Sequence, residues 1–269
     1  MRESERRCGR ERYSIPDPAR NRLPVEPAPA PLPEPLAAPS SPPLRTRVVG
    51  AVVAIAVVAS VLGGAALGHD IAGLGVAVVV GLAWALTRRG ETPSPLGRPR
   101  GGWRRMLGRG VAWGAGLQVV STFAVEPLAA ALFGAPPDLS AFAYLRGDPS
   151  ALAAMLGVTW GLVVWIEEGL FRATVLPALG AALGLASISG AAADRRASVR
   201  RALAIGLAAA GFALAHVYQG ASGVLATGIA GVALGVLFAR EDGRLWAPVV
   251  AHGTANTLAL VALYAGWGT

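Results

Sequence analysis

The groups able to do chemistry in this 269-residue chain are few, and three of them sit where charge is least welcome. The run Trp165, Ile166, Glu167, Glu168, Gly169, Leu170, Phe171, Arg172 places three ionisable side chains inside an otherwise apolar stretch. Each costs on the order of 2.5–3.5 kcal/mol at the centre of a membrane span. On a helix turning about 100° per residue, Glu168 and Arg172 lie about 40° apart around the axis, whereas Glu167 lies about 140° from Arg172. Glu168 is therefore the expected ion-pair partner of Arg172, and Glu167 faces elsewhere. A carboxylate with no cation beside it, in a low-dielectric interior, is suited to take a proton from water and pass it on, the property of a general base. From this segment alone a second reading stands equally, in which all three groups form one structural polar cluster.

Two further apolar stretches carry polar groups. One contains Phe212 and His216, the other His252 and Asn256, each pair four residues apart and so on one face of a helix. Of the three histidines in the chain, two lie in such stretches, and one of these has an asparagine a turn away. At about 1.5 Å per residue, Glu167 lies about 15 Å from Pro177, His216 about 22 Å from Arg201 and His252 about 12 Å from Arg244. The three can share one level, between the cytoplasmic half of a bilayer and its midplane.

The elements that must position these groups are membrane helices. The chain is 54% hydrophobic and 15% charged, with a mean hydropathy of +0.51 that a water-soluble domain does not sustain. Uninterrupted apolar runs near 20 residues exclude a β-barrel, whose strands alternate. The net charge of +8 comes from 24 arginines clustered between the apolar runs, so it reports topology and not a nucleic-acid partner. Residues 1–47 hold nine Arg, six acids and eleven prolines, the composition of a disordered cytoplasmic tail. Seven spans are expected: 48–68, 71–87, 111–133, 151–175, 202–218, 221–239 and 245–267. Pro177 is expected to end the fourth. Seven Arg against one Glu between Arg88 and Arg109, and five charges from Asp194 to Arg201 of which four are Arg, put these loops and the N-terminus inside and the C-terminus outside. The fold expected is thus an all-α polytopic bundle of about seven transmembrane helices, divided as tail (1–47), N-terminal helices and loops (48–149) and core (150–269).

Glu167, Glu168 and Arg172 as EExxxR, Phe212 and His216 as FxxxH, and His252 and Asn256 as HxxxN, in that order over about residues 150–260, resemble the motifs of the CPBP intramembrane proteases. This is the CAAX-protease, bacteriocin-processing and abortive-infection family, which includes the Rce1-type prenyl endopeptidases. The resemblance implies an endopeptidase of the membrane in which Glu167 is the base, His216 assists and orients the water, and His252 with Asn256 hydrogen-bonds the oxyanion. Glu168, Arg172 and Phe212 would support the site.

A zinc alternative uses Glu167, His216 and His252 as ligands, two nitrogens and one oxygen with an open position. A liganded Glu167 cannot also be the free base and the HExxH spacing is absent, so no metal or other cofactor is favoured. A proton-coupled transporter, or a scaffold or immunity protein of the same fold, are the competing readings; the missing internal repeat disfavours the first and the intact motifs the second. The partners expected are the lipid bilayer and a membrane-associated peptide or protein substrate. All-arginine usage with 35 glycines suggests a high-GC bacterial genome and its inner membrane. The lone Cys8 offers no disulfide framework. Glu126 reads as an outer-interface residue, His69 with Asp70 as a turn, and the pairs Gly157 with Gly161 and Gly231 with Gly235 as helix contacts.

Overall fold

The structure, a computed structural model, describes residues 41–87, 94–189 and 194–267. Among them there is no strand. Seven long helices account for most of the chain: α1 (Leu44–Ala66), α2 (Asp70–Thr87), α3 (Trp103–Phe133), α4 (Pro149–Ala182), α5 (Arg195–Leu214), α6 (Gly220–Arg240) and α7 (Trp246–Tyr264). Six have the length and apolarity to cross a membrane, and α2 contributes the shorter apolar run Ile71–Thr87. The protein is an all-α polytopic membrane bundle. Its surface carries large apolar side chains such as Ile71, Phe123 and Leu132, as expected where the surroundings are lipid and the helices are apolar all round. The first helix begins at Leu44, four residues before the expected start. Cys8 and most of the proline-rich tail lie outside the described residues, as do Arg88 and Arg89.

Pro177 does not end the fourth span, contrary to the expectation. A proline removes one N–H and presses its ring on the carbonyl four residues back. The backbone answers with a widened π turn, Phe171–Val175, in which Leu176 N–H bonds to the Phe171 carbonyl, and α4 continues to Ala182. The helix ends instead at Gly184, whose φ of +80° lets Leu185 N–H return to the Gly180 carbonyl at 2.8 Å. The same device carries α3 past Pro127, through the π turn Ser121–Val125. A third π turn, Thr159–Val163, has no proline after it and lies just before Glu167. At its start α4 is capped by Asp148, whose side chain accepts from the N–H groups of Ser150 and Ala151. The hydroxyl of Ser150, together with those amides, holds the Asp148 carboxyl below the usual carboxylate range.

Helices α1, α2, α4 and α5 enclose the main core, around Ala54, Val57, Leu176, Ala208 and Phe212. Gly231 of α6 packs on Ala209 of α5, where an added Cβ would lie 3.0 Å from the alanine methyl, so this glycine is a contact point as expected. Gly157 and Gly161 have open space beside them and are not.

The bundle has two chemically different ends. At one, Arg109 forms a two-point ion pair with Glu241, both contacts 2.8 Å, and Asp242 lies 3.6 Å from Arg100 and 3.2 Å from Arg244. Trp246 donates to the Gly97 carbonyl there at 3.1 Å, and Arg47 to the carbonyl of Ala182 at 3.4 Å. At the other end Asp138 N–H bonds to the Gln219 carbonyl, Gly147 N–H to that of Tyr264, and the Ser222 hydroxyl to that of Ala135.

Candidate active site

Helix α4 presents Glu167 and Glu168 on one short α-helical stretch between two π turns. Glu168 is fully buried, and Arg172 is 2% exposed. The i,i+4 ion pair expected from their spacing is present, with Nη1 of Arg172 3.2 Å from Oε1 of Glu168. The guanidinium also lies over the Phe212 ring, 4.4 Å from its centroid, and its Nη2 is 3.5 Å from the Gly231 carbonyl. A cation drawn out of water in this way is compensated by a carboxylate, a π face and a backbone dipole together.

The same oxygen of Glu168 accepts a 2.8 Å hydrogen bond from Nδ1 of His252 on α7. Because a carboxylate accepts and does not donate, Nδ1 carries the proton, and Nε2 is the nitrogen turned toward Glu167, whose Oε2 is 3.5 Å away. His252 is thereby held between two adjacent carboxylates of α4. Asn256, one turn further along α7, lines the same cavity, and its amide makes no hydrogen bond among the described residues.

His216 is not on a helix face. Helix α5 stops at Leu214, and His216 follows in a turn with φ −106° and ψ 19°. Its Nδ1 is 2.8 Å from the Phe212 carbonyl, one of the acceptors that a helix C-terminus leaves without a partner. Since a carbonyl only accepts, the Nδ1–H donates, and a neutral His216 keeps its Nε2 lone pair free. The ring of Phe212 packs against three others, with centroids 5.2 Å from Phe171, 4.7 Å from His216 and 6.0 Å from His252. Phe212 thus spaces the two histidines and covers the buried Arg172.

Glu167, His216, His252 and Asn256, from α4, the turn after α5, and α7, all line one cavity of about 250 Å³. Glu167 and His252 lie near the middle of their helices, Pro149–Ala182 and Trp246–Tyr264. The cavity walls run from these central residues and Leu234 to the loop residues Pro137, Leu139 and Phe142, and include Thr159 and Val163 of the π turn of α4.

One residue of the cavity wall, and one that packs on α7 beside it, were not found from sequence. Glu126, read there as an interface residue, lines the cavity and accepts a 2.9 Å hydrogen bond from the Ser121 hydroxyl across the π turn of α3. Trp160, on the π turn of α4, lies over Gly253, where an added Cβ would fall 2.5 Å from the ring, and donates to the Thr257 hydroxyl at 3.0 Å. The glycine between His252 and Asn256 is the signal that a bulky group presses there.

Among the described residues no group of three or more His, Cys, Asp or Glu side chains is gathered where it could hold a metal ion.

No curated protein and no solved structure matches the chain significantly. One family model does, Type II CAAX prenyl endopeptidase Rce1-like, over residues 149–258, about two-fifths of the chain. That stretch runs from the first residue of α4 into α7 and contains all seven motif residues, Glu167, Glu168, Arg172, Phe212, His216, His252 and Asn256. Residues 149–258, which carry the EExxxR, FxxxH and HxxxN motifs in order on packed membrane helices, are thus similar to the Rce1-like type II CAAX prenyl endopeptidase domain.

Proposed function

We propose that the protein is an intramembrane endopeptidase that hydrolyses a peptide bond of a membrane-associated peptide or protein, with Glu167 activating the water. The observation that carries this reading is the convergence of Glu167, His216, His252 and Asn256 on one cavity, with Glu168 and Arg172 buried behind it. Glu167 is the carboxylate left without a cation, and a quarter of its side chain is exposed toward the cavity, where a water can reach it.

In the proposed reaction Glu167 takes a proton from the water as its oxygen bonds to the substrate carbonyl carbon, and the carbonyl π pair moves onto oxygen. The Nε2 lone pair of His216 accepts the water's second hydrogen and orients the attack. Asn256 donates its amide N–H to the oxyanion, and His252, when Nε2 carries a proton, adds a second donor from the same helix. As the intermediate collapses the C–N bond breaks, and the leaving nitrogen takes the proton from Glu167. Glu168 and Arg172 do not touch the reacting atoms; they fix the His252 ring and the face of α4. No step needs a metal.

The test is cleavage of a membrane peptide by detergent-purified protein. Turnover by the wild type, absent in Glu167→Gln, separates an enzyme from a scaffold, an immunity protein or a transporter of the same fold.

A further inference from the structure

Helix α3 carries a charge that the proposed reaction leaves unused. Glu126 lies within the span Trp103–Phe133, outside the matched residues 149–258, and lines the same cavity as Glu167. An ionisable group kept inside a span against its cost marks, by default, the path of a ligand or ion. The backbone builds its setting. Five residues along an α-helix leave Ser121 and Glu126 about 140° apart around the axis. The π turn Ser121–Val125, which bonds Glu126 N–H to the Ser121 carbonyl, brings them together, and the Ser121 hydroxyl donates to Oε1 of Glu126 at 2.9 Å. Oε2 makes no hydrogen bond, and the carboxylate no ion pair, among the described residues. One oxygen is thus held by the helix and the other is left for an incoming group.

The cavity supplies no counter-charge. Glu126 and Glu167 reach it from different helices, while none of the 24 arginines lines it and the chain has no lysine. Arg172, against the Phe212 ring, is already paired with Glu168. Most of the remaining wall is apolar, with Leu117, Phe142, Ile229 and Leu260 among its side chains. A cavity apolar along its walls and negative at two points fits a side chain with an apolar stem and a cationic tip. We propose that Glu126 binds the cation of a substrate side chain, and that the protein selects peptides with a lysine or arginine beside the bond to be cut. Glu167, as the base, is kept for water, and Glu126 takes the ammonium or guanidinium on Oε2. This subsite rests on the endopeptidase reading and names its substrate class.

Binding is read on Glu167→Gln protein in detergent, where the peptide is not consumed and Glu126 is the remaining carboxylate of the cavity wall. The probes are a short acetylated and amidated peptide of leucine and alanine with one central lysine, its norleucine twin, and the norleucine peptide with a free N-terminus. Calorimetry is expected to show the lysine peptide binding about tenfold more tightly than either norleucine peptide. Adding Glu126→Gln, which keeps the shape and the Ser121 bond, is expected to erase that preference at unchanged norleucine affinity. Equal affinities for the lysine peptide and its norleucine twin, or no binding of any probe, overturn the subsite without a variant at Glu126. A preference that survives Glu126→Gln overturns it too, as does equal binding of the free N-terminus, which would make the ligand a terminal ammonium. Cleavage by wild-type protein scores the endopeptidase reading separately. Peptides cut with no lysine preference in binding sink the subsite alone. Lysine-selective binding with no peptide cut overturns the proteolytic reading, and with it the substrate class, but not the cation site.

Discussion

Glu168 and His252 are 84 residues apart in the chain and share a 2.8 Å hydrogen bond inside the bundle, on the carboxylate oxygen that also faces Arg172. One buried oxygen thus joins α4 to α7 and sets which nitrogen of His252 meets the cavity. The second oxygen of Glu168 has no hydrogen-bond partner among the described residues, so the position depends on charge as well as on hydrogen bonding.

Glu168→Gln is expected to lower the amount of folded protein. Glutamine keeps the shape and can still meet His252, but it leaves Arg172 as a buried cation without its counter-charge, a loss of about 3–5 kcal/mol when one partner of such a pair is removed. The yield of monodisperse protein after detergent extraction measures this. A wild-type yield and melting temperature would show that Arg172 finds its compensation elsewhere.

Gly253→Ala is expected to reduce turnover by about a hundredfold, because the new methyl collides with the Trp160 ring and displaces the face of α7 that carries His252 and Asn256. Adding Trp160→Leu opens the space and should return part of the lost activity. If the double variant is no better than Gly253→Ala alone, the Trp160 contact is not what the glycine accommodates.

Asn256→Ala should slow turnover by roughly 10²–10³-fold with little change in KM, as loss of an oxyanion donor does. A rise in KM at unchanged kcat would move Asn256 from the reaction to substrate binding.

A free Glu167 base also makes a demand on metals. His216 and His252 are then only two protein ligands, where a catalytic zinc normally has three. Activity should survive exhaustive chelation, measured together with metal content by elemental analysis. One zinc per protein retained through purification, with chelator inactivation reversed by added Zn²⁺, would make Glu167, His216 and His252 ligands and reject the mechanism.

Much of this was legible in the chain because it follows from local spacing. The Glu168 to Arg172 pair needs only a helical turn, and the apolar runs name their own helices. What was not legible depends on how helices pack or end. Pro177 reads as a stop, yet the π turn before it absorbs the missing N–H. His216 reads as a helix-face residue, yet α5 ends two residues earlier and the ring caps the Phe212 carbonyl. The bond between Glu168 and His252, the place of Glu126 in the cavity wall and the pressure of Trp160 on Gly253 all arise from contacts between elements far apart in sequence, for which spacing holds no record.

The role of Glu167 as the base is tested most directly by one measurement, the single-turnover rate of Glu167→Gln on a membrane peptide, taken on protein shown to be folded and as abundant as wild type. Glu167 lies outside the buried ion pair, so the substitution removes a proton acceptor and leaves the fold intact. The predicted result is full abundance with cleavage lost. Wild-type turnover from the same preparation would contradict the assignment of Glu167 as the base.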